Sequence, residues 1–163
     1  ITAPASVRSV GEAVMAADRL LETAKAQADA QVSERNAREK AELMRQLGMD
    51  EGESATKASR TMIRQLEEDQ KRRSKRALTD AIDRALIDLL AIYRDVLMVQ
   101  VGGDGELINT DLSDLVHEIA QDSTPRQTFA RVDHIETARK RLVSNGNPLL
   151  VLEDMAISLR PQA

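Results

Sequence analysis

Two histidines come nearest to a metal-binding pattern in this chain. Asp114 and His117 lie three positions apart, which is the spacing of a carboxylate and histidine pair that share one helix face in a metal site. Such a site also needs several inward-facing glutamates and a second pair, and the sequence provides neither. His134 lies between Asp133 and Ile135, a position that is typical of a residue near the surface. We therefore predict that both histidines are structural or solvent-facing, and that the chain holds no metal.

Residues 101–105 contain three glycines and have the composition of a loop that could hold a phosphate. The segment follows a predicted helix, however, and no Lys-Ser or Lys-Thr pair comes after it, as it would in a nucleotide-binding loop. An ordinary turn between helices is therefore expected. No serine, histidine and acid combination has a distinctive spacing, so we predict no catalytic residue and no cofactor.

Positive charge is concentrated between residues 60 and 76, where seven basic residues and three acidic ones give a net charge of +4. A nucleic-acid-binding hairpin would use the densest part of this stretch to contact phosphates, namely Lys71, Arg72, Arg73, Lys75 and Arg76. No aromatic residue alternates with them for base stacking. The chain as a whole carries −4, which disfavours a general affinity for nucleic acid. We favour a solvated helix and keep phosphate contact as an alternative.

The composition indicates a single aliphatic domain. The chain has 163 residues, enough for one core, and its aromatic content is only 1%, with Tyr93 and Phe129 as the sole members. The absence of cysteine excludes disulfides and thiolate metal sites, and no apolar run is long enough to cross a bilayer. These features fit a cytoplasmic protein. Because Ile1 is no natural start, we interpret residues 1–163 as one domain from a longer protein.

Two long helices are predicted in the first part of the chain. Ser6 can cap the first, which runs to about Leu47 and is stopped by Gly48. Its apolar stripe is Val7, Val10, Val14, Ala17, Leu21, Ala24 and Ala28. Residues 48–59 have a loop composition, and the second helix runs from near Ser59 to the glycines at 102 and 103.

These two helices are predicted to fold back on each other as an antiparallel hairpin. That pairing puts Val32 opposite Ser74 and Asn36 opposite Gln70, so the apolar seam becomes thin there. Residues 32–75, including the loop at 48–59, are therefore interpreted as a charged distal arm with little core.

Three shorter helices are predicted in the last third of the chain. Asn109 or Thr110 can cap the first of them, and Thr124-Pro125 opens the next, which should bury Phe129 on its apolar face. The sequence Asn145-Gly146-Asn147-Pro148 joins this helix tightly to a last helix that ends near Arg160. Since no alternating strand pattern occurs, the predicted fold class is all-α, a helical bundle of about five helices.

Two segments of the chain carry a family resemblance. Residues 89–97, which include Tyr93-Arg94-Asp95, and the join from Asn145 to Glu153 together resemble the C-terminal region of the delta-prime subunits of bacterial DNA polymerase III. The resemblance extends from about Leu78 to Arg160. It implies a non-catalytic collar domain that holds its subunit in the pentameric clamp loader, which places the sliding clamp on primed DNA. The family's nucleotide-fold modules precede the region matched here, so the whole protein would belong to a DNA polymerase III holoenzyme.

The resemblance also implies partners and interface residues. The expected partners are the other loader subunits, delta and gamma/tau, contacted through collar helices, with DNA involved only indirectly and no membrane. The implied structural or subunit-interface positions are Tyr93, Arg94, Asp95, Asn145, Asn147, Pro148, Leu152, Glu153 and Leu159. Arg94 and Asp95 either pair within the domain or reach across a subunit boundary. The alternatives are the collar of another loader subunit and the nucleic-acid-binding hairpin, and an isolated collar domain can also form an artificial homodimer.

Overall fold

All regular structure is helical in the part of the chain that the computed structural model describes, residues 9–48, 56–103 and 105–160. The elements are α1 (Val10–Gln46), α2 (Lys57–Gln100), a short 3₁₀ helix η1 (Thr110–Leu112), α3 (Ser113–Gln121), α4 (Pro125–Val143) and α5 (Pro148–Ser158). The predicted all-α fold with five helices and a long first pair is confirmed.

Helix α1 begins with a reciprocal cap. The backbone N–H of Glu12 donates to Ser9 Oγ at 3.1 Å, and that of Ser9 donates to Glu12 Oε2 at 3.0 Å. The predicted cap at Ser6 lies outside the described residues, as does Val7. At the other end, Gly48 has a φ of 63°, the left-handed conformation with which the predicted stop closes α1.

The chain divides into two compact units, each of which contains part of α1 and part of α2. We call the first the bundle; its described residues are those up to Thr23 and from Ile82 onwards. The second is the arm, Ala24–Ala81, within which the predicted charged segment 32–75 falls. Most of the predicted loop at 48–59 lies outside the described residues, and α2 starts at Lys57.

Within the arm, the two helices share a small core and then a polar seam. The core consists of Ala28, Val32 and Ala77, with Leu78 packed against it. Further along, Gln70 Nε2 donates to the backbone oxygen of Asn36 at 2.8 Å, which is the pairing that the antiparallel register predicts. Small side chains allow the helices to approach closely, but they bury little apolar area.

The bundle contains the large buried side chains. Those that are almost completely buried include Ile82, Leu86, Leu89, Ile92, Tyr93, Val96, Val116, Ile135, Leu152 and Leu159. Two predicted core positions are wrong, because Val10 is 49% and Phe129 is 58% exposed. Phe129 follows directly after Thr128, and the buried stripe of α4 is Thr128, Arg131, Ile135, Ala138 and Leu142. A residue one position off such a stripe is rotated by about 100° toward solvent.

Candidate functional site

Asp95, on α2, organises the chain segment that follows this helix. Its carboxylate is completely buried. Oδ1 accepts the backbone N–H of Ile108 at 3.1 Å, while Oδ2 accepts both the backbone N–H and the side-chain amide of Asn109 at 2.8 Å. Asn109 precedes the 3₁₀ helix, but it makes no side-chain capping hydrogen bond, and the predicted cap is therefore absent at this residue. Its side-chain amide donates to Asp95 instead.

Arg94, on the surface, also connects Asp95 to the chain segment after α2. Its Nη1 lies 2.7 Å from Asp95 Oδ1 and also donates to the backbone oxygen of Glu106 at 3.2 Å, while the side chain remains 45% exposed. Of the two predicted roles for the Arg94–Asp95 pair, pairing within the domain is therefore present. The buried carboxylate has three charge-assisted or backbone partners, which is the condition under which a buried charge is tolerated.

The same contacts determine how Asp95 titrates. Burial raises the pKa of this carboxyl, but hydrogen bonds from the backbones of Asn109 and Ile108 and from the side chains of Arg94 and Asn109 outweigh burial. The net effect holds the pKa of Asp95 below its ordinary value of 3.8. The carboxylate therefore stays ionised, and continues to hold the loop, at any pH near neutrality.

The start of this loop is fixed by a glycine turn. Gly102 has a φ of 67°, and the backbone N–H of Gly103 donates to Met98 O at 3.0 Å, a closure typical of helix C-termini. A Cβ on Gly105 would meet the Cε end of the Met98 side chain, so the chain passes closely over this methionine. The glycines predicted as an interhelical turn therefore end α2 and pack the loop against it.

Tyr93 is a core residue with an unusual hydroxyl. The side chain is completely buried, and its Oη has no hydrogen-bond partner among the described residues. Burial raises the pKa of Tyr93 to about 12, against a smaller opposite effect of the positive charge of Arg131, which is itself 7% exposed. Tyr93 therefore contributes apolar packing and offers no surface contact.

The join between α4 and α5 has the geometry that its sequence predicts. Asn145 has a φ of 63°, the backbone N–H of Gly146 donates to Arg141 O at 2.8 Å, and Asn147 Oδ1 accepts the N–H groups at the start of α5. A Cβ on Gly146 would lie 2.8 Å from Arg141 O. Pro148 is the first residue of α5. These residues fix the two helices tightly and provide no chemistry.

The predicted interface leucines lie inside the bundle. Leu152 is fully buried and Leu159 is 2% exposed, so both side chains contribute to the core of this domain, and Glu153 is half-buried. The apolar surface lies instead at residues outside the buried stripes. Among the described residues from 101 onwards, five large apolar side chains are exposed, namely Val101, Ile108, Phe129, Val143 and Leu150.

Two of these exposed residues, Val101 and Ile108, lie in an acidic segment of the chain. From residue 95 to residue 125 the sequence has seven Asp or Glu residues and no Lys or Arg. The loop that Asp95 holds and the whole of α3 fall within this segment. The sequence predictions did not use this acidic segment, although a count of charged residues along the chain is enough to find it. It favours a contact surface for basic partners.

Several residues of the basic stretch on α2 already form hydrogen bonds and ion pairs within the arm. Arg73 donates to both carboxylate oxygens of Glu39 and to Asn36 Oδ1, and Arg72 is hydrogen-bonded to Asp69. Lys71 and Arg76 are exposed, and Lys75 has a partner as well. The five residues predicted as phosphate contacts therefore do not form one free cationic surface.

The remaining candidates have local roles. His117 and His134 are exposed, and His117 Nδ1 lies 2.8 Å from the backbone oxygen of Ser113, one helical turn earlier. No group of three His, Asp or Glu side chains arranged for a metal occurs among residues 9–48, 56–103 and 105–160. Nor does any helix in these ranges combine the length and apolar composition needed to cross a membrane.

Comparison with known proteins gives two matches. Seventy-two residues, 44% of this chain, are 36% identical to DNA polymerase III subunit delta' of Bacillus subtilis (strain 168), and the matched part is 22% of that protein. The chain thus spans about a fifth of the length of this curated relative. No solved structure matches.

The second match is to a family model described as the C-terminal part of the DNA polymerase III delta subunit, and it covers residues 55–160. This range includes Tyr93-Arg94-Asp95, the loop that Arg94 and Asp95 hold, and the join between α4 and α5. The two matches confirm the predicted resemblance to the delta-prime C-terminal region. Since the family model covers well over half of the chain, the chain belongs to the family formed by the C-terminal domains of DNA polymerase III delta subunits.

Proposed function

We propose that this domain is the collar of a clamp-loader delta-prime subunit, and that it works without catalysis by holding that subunit in the loader ring. The family membership and the delta-prime relative support this role. Its partners on this proposal are the collar domains of the delta and gamma/tau subunits. Sliding-clamp loading on primed DNA would then depend on this domain only through assembly.

One observation carries the proposal. The bundle has a fully buried core, so its framework does not need its exposed apolar residues for folding, and yet eight large ones remain outside among its described residues, five of them from residue 101 onwards. Two of them, Val143 and Leu150, lie within three residues of the rigid join, and Ile108 belongs to the loop that Asp95 holds by its backbone. Exposed apolar side chains on rigid backbone are suited to an interface, because little conformational entropy is lost on binding.

The acidic segment that contains Val101 and Ile108 indicates which kind of partner surface would bind there. The acidic segment between residues 95 and 125 would face basic side chains on the neighbouring collars. Such charges mainly guide the encounter and the orientation of the partners, whereas the central apolar contacts contribute most of the affinity.

Native mass spectrometry tests the proposal. The domain is mixed with the collar domains of the other loader subunits, as the unaltered protein and with Ile108→Glu or Leu150→Glu. We expect a defined mixed complex for the unaltered domain and at least a tenfold weaker one for each variant, because a charge replaces an apolar contact. Both side chains are 63% exposed, so the variants should retain their helical circular dichroism.

The matched control is Met62→Lys, at an exposed methionine in the arm, which should leave the mixed complex intact. Full assembly by folded Ile108→Glu and Leu150→Glu variants would contradict the proposed surface. A well-folded unaltered domain that joins no collar partner would contradict the assembly role itself. Leu152→Asp and Leu159→Asp would report on folding alone, because both residues are in the core.

A further inference from the structure

The arm has an open groove of about 550 Å³, which the proposed collar role does not use. Its apolar lining is Leu43 from α1 with Met62 and Leu66 from α2. Leu43 and Leu66 are only half-buried, and Met62 is 51% exposed. The volume is in the range of sites that hold a small ligand or a row of side chains from a binding partner.

The groove exists because two helices alone cannot cover their own apolar residues here. The apolar side chains that are buried in the arm are Ala24, Ala28, Val32, Ala77 and Ala81. The larger ones nearer to the C-terminal end of α1 and the start of α2, including Leu43, Met44, Ile63 and Leu66, are half-buried. A helix normally buries its apolar stripe against a neighbour, so the described residues leave this end of the helix pair without one packing partner.

The charges of the lining indicate the chemistry of that partner. Three carboxylates line the groove, those of Glu39, Glu42 and Asp69, together with one guanidinium, that of Arg38. Four arginines pair with these carboxylates: Arg35 and Arg73 with Glu39, Arg45 with Glu42, and Arg72 with Asp69. None of the four is part of the lining. The side chains that line the apolar strip themselves, three carboxylates and one guanidinium, carry a net charge of −2.

We propose that this groove binds an amphipathic helix of another protein, with an apolar stripe at helical spacing and lysine or arginine residues along its edges. A helix in a groove between two helices would complete a three-helix bundle and cover Leu43, Met62 and Leu66. Its basic residues would add to the existing ion pairs at the border. The arm is then a second docking site, independent of the collar surface of the bundle.

The charge pattern disfavours a second copy of this chain as the occupant. Two copies related by a two-fold axis through the groove would present the same lining to each other. Glu39, Glu42 and Asp69 would then face their own equivalents, and like charges opposed across an interface are destabilising. A basic helix meets no such repulsion.

Fluorescence anisotropy with synthetic helices tests the proposal on the whole chain. The probe is a labelled peptide of about 18 residues, since shorter isolated helices are marginal. It carries leucines at positions 1, 5, 8 and 12, with lysines beside them. A second peptide has glutamates in place of the lysines, and a third has the composition of the first with its leucines spread around the helix.

We expect the lysine peptide with the apolar stripe to bind at least tenfold more tightly than either of the other two. Met62→Lys should weaken its binding at least tenfold. Ile87→Lys, which makes the same charge change at a 45% exposed apolar residue of the bundle, should not weaken it. Ile108→Glu should also leave peptide binding intact while it disrupts collar assembly, so failure of either proposal can be recognised separately.

Three results would overturn the docking site. The first is equal binding of the striped and the spread lysine peptides, which would indicate charge attraction alone. The second is unchanged binding by Met62→Lys with retained helicity. The third is a concentration-dependent dimer in sedimentation velocity that Met62→Lys abolishes, because this would assign the groove to a second copy.

Discussion

The bundle and the arm are built on the same two long helices but are stabilised in different ways. In the bundle, α2 contributes large side chains that are fully buried, such as Leu86, Leu89 and Val96. In the arm, the buried apolar residues are four alanines and one valine, and polar contacts connect the helices beyond them. Burial of large apolar side chains therefore stabilises the bundle part of α2, whereas small side chains and polar contacts specify the helix pairing in the arm.

The polar contacts of the arm centre on Glu39. A hydrogen bond from Arg73, followed by one from Arg35, lowers the pKa of Glu39 to about 2. The Arg73 and Glu39 side chains are 27% and 30% exposed, so water screens their attraction. By contrast, Asp95 in the bundle is fully buried and has no such screening. Surface ion pairs fix which residues of the two helices face each other, whereas the buried carboxylate of Asp95 holds the loop through Ile108 and Asn109.

The largest expected difference comes from truncating one leucine in each unit. Leu86→Ala removes a fully buried side chain from the bundle and should cost about 3–5 kcal/mol of unfolding free energy. Leu66→Ala removes a half-buried side chain from the arm and should cost less than about 1.5 kcal/mol. Urea unfolding followed by circular dichroism measures both. Equal costs would show that the arm has as much core as the bundle.

The second largest effect is expected for Asp95→Asn, which should lower the free energy of unfolding by about 2–4 kcal/mol. The variant loses the negative charge to which Arg94, Ile108 and Asn109 donate their hydrogen bonds. The folded pKa of Asp95 lies below 3.8, so its stabilisation is fully present above pH 3.8 and is lost as the pH falls through the folded value. The variant should therefore lose less stability than the unaltered chain during acid titration. Asp88→Asn, at an exposed position of the same helix, is the control and should change little. Parallel acid-unfolding curves for all three proteins would contradict the role of Asp95.

The smallest expected effect is that of Arg73→Gln in the arm. The thermal midpoint should fall by less than about 3 °C at low salt, since partly exposed ion pairs contribute little. The difference should vanish near 1 M NaCl, where the Debye length is about 3 Å. Differential scanning calorimetry at the two salt concentrations measures it, with Arg64→Gln as an exposed i,i+4 control. A salt-independent loss would mean that Arg73 contributes through packing.

Local signals in the sequence predict much of this fold. Thr124-Pro125 and Asn145-Gly146-Asn147-Pro148 determine helix ends through their own backbone preferences, and the structure confirms both. The role of Asp95 could not be predicted in this way, because its partners Ile108 and Asn109 lie 13 and 14 positions further along the chain. Only the fold brings them together.

The misplacement of Phe129 has a different cause. The aromatic ring suggests burial, but the spacing of the stripe on α4 selects Thr128 and Arg131 instead. Thr128 can be buried because its hydroxyl donates to Gln100 Oε1 at 3.0 Å, a contact between helices that no local pattern reveals. The exposed apolar surface was missed for the same reason, since it consists of residues that lie off the stripes.

The join at Asn145 and Gly146 also affects the chemical ageing of the protein. Asn-Gly pairs deamidate when the glycine nitrogen attacks the asparagine side-chain carbon and closes a succinimide ring. Here the Gly146 N–H donates to Arg141 O at 2.8 Å, and a left-handed backbone holds Asn145. Ring closure therefore requires the last turn of α4 to open first. The contact that ends this helix thus also slows the loss of the Asn145 side-chain amide over the lifetime of the molecule.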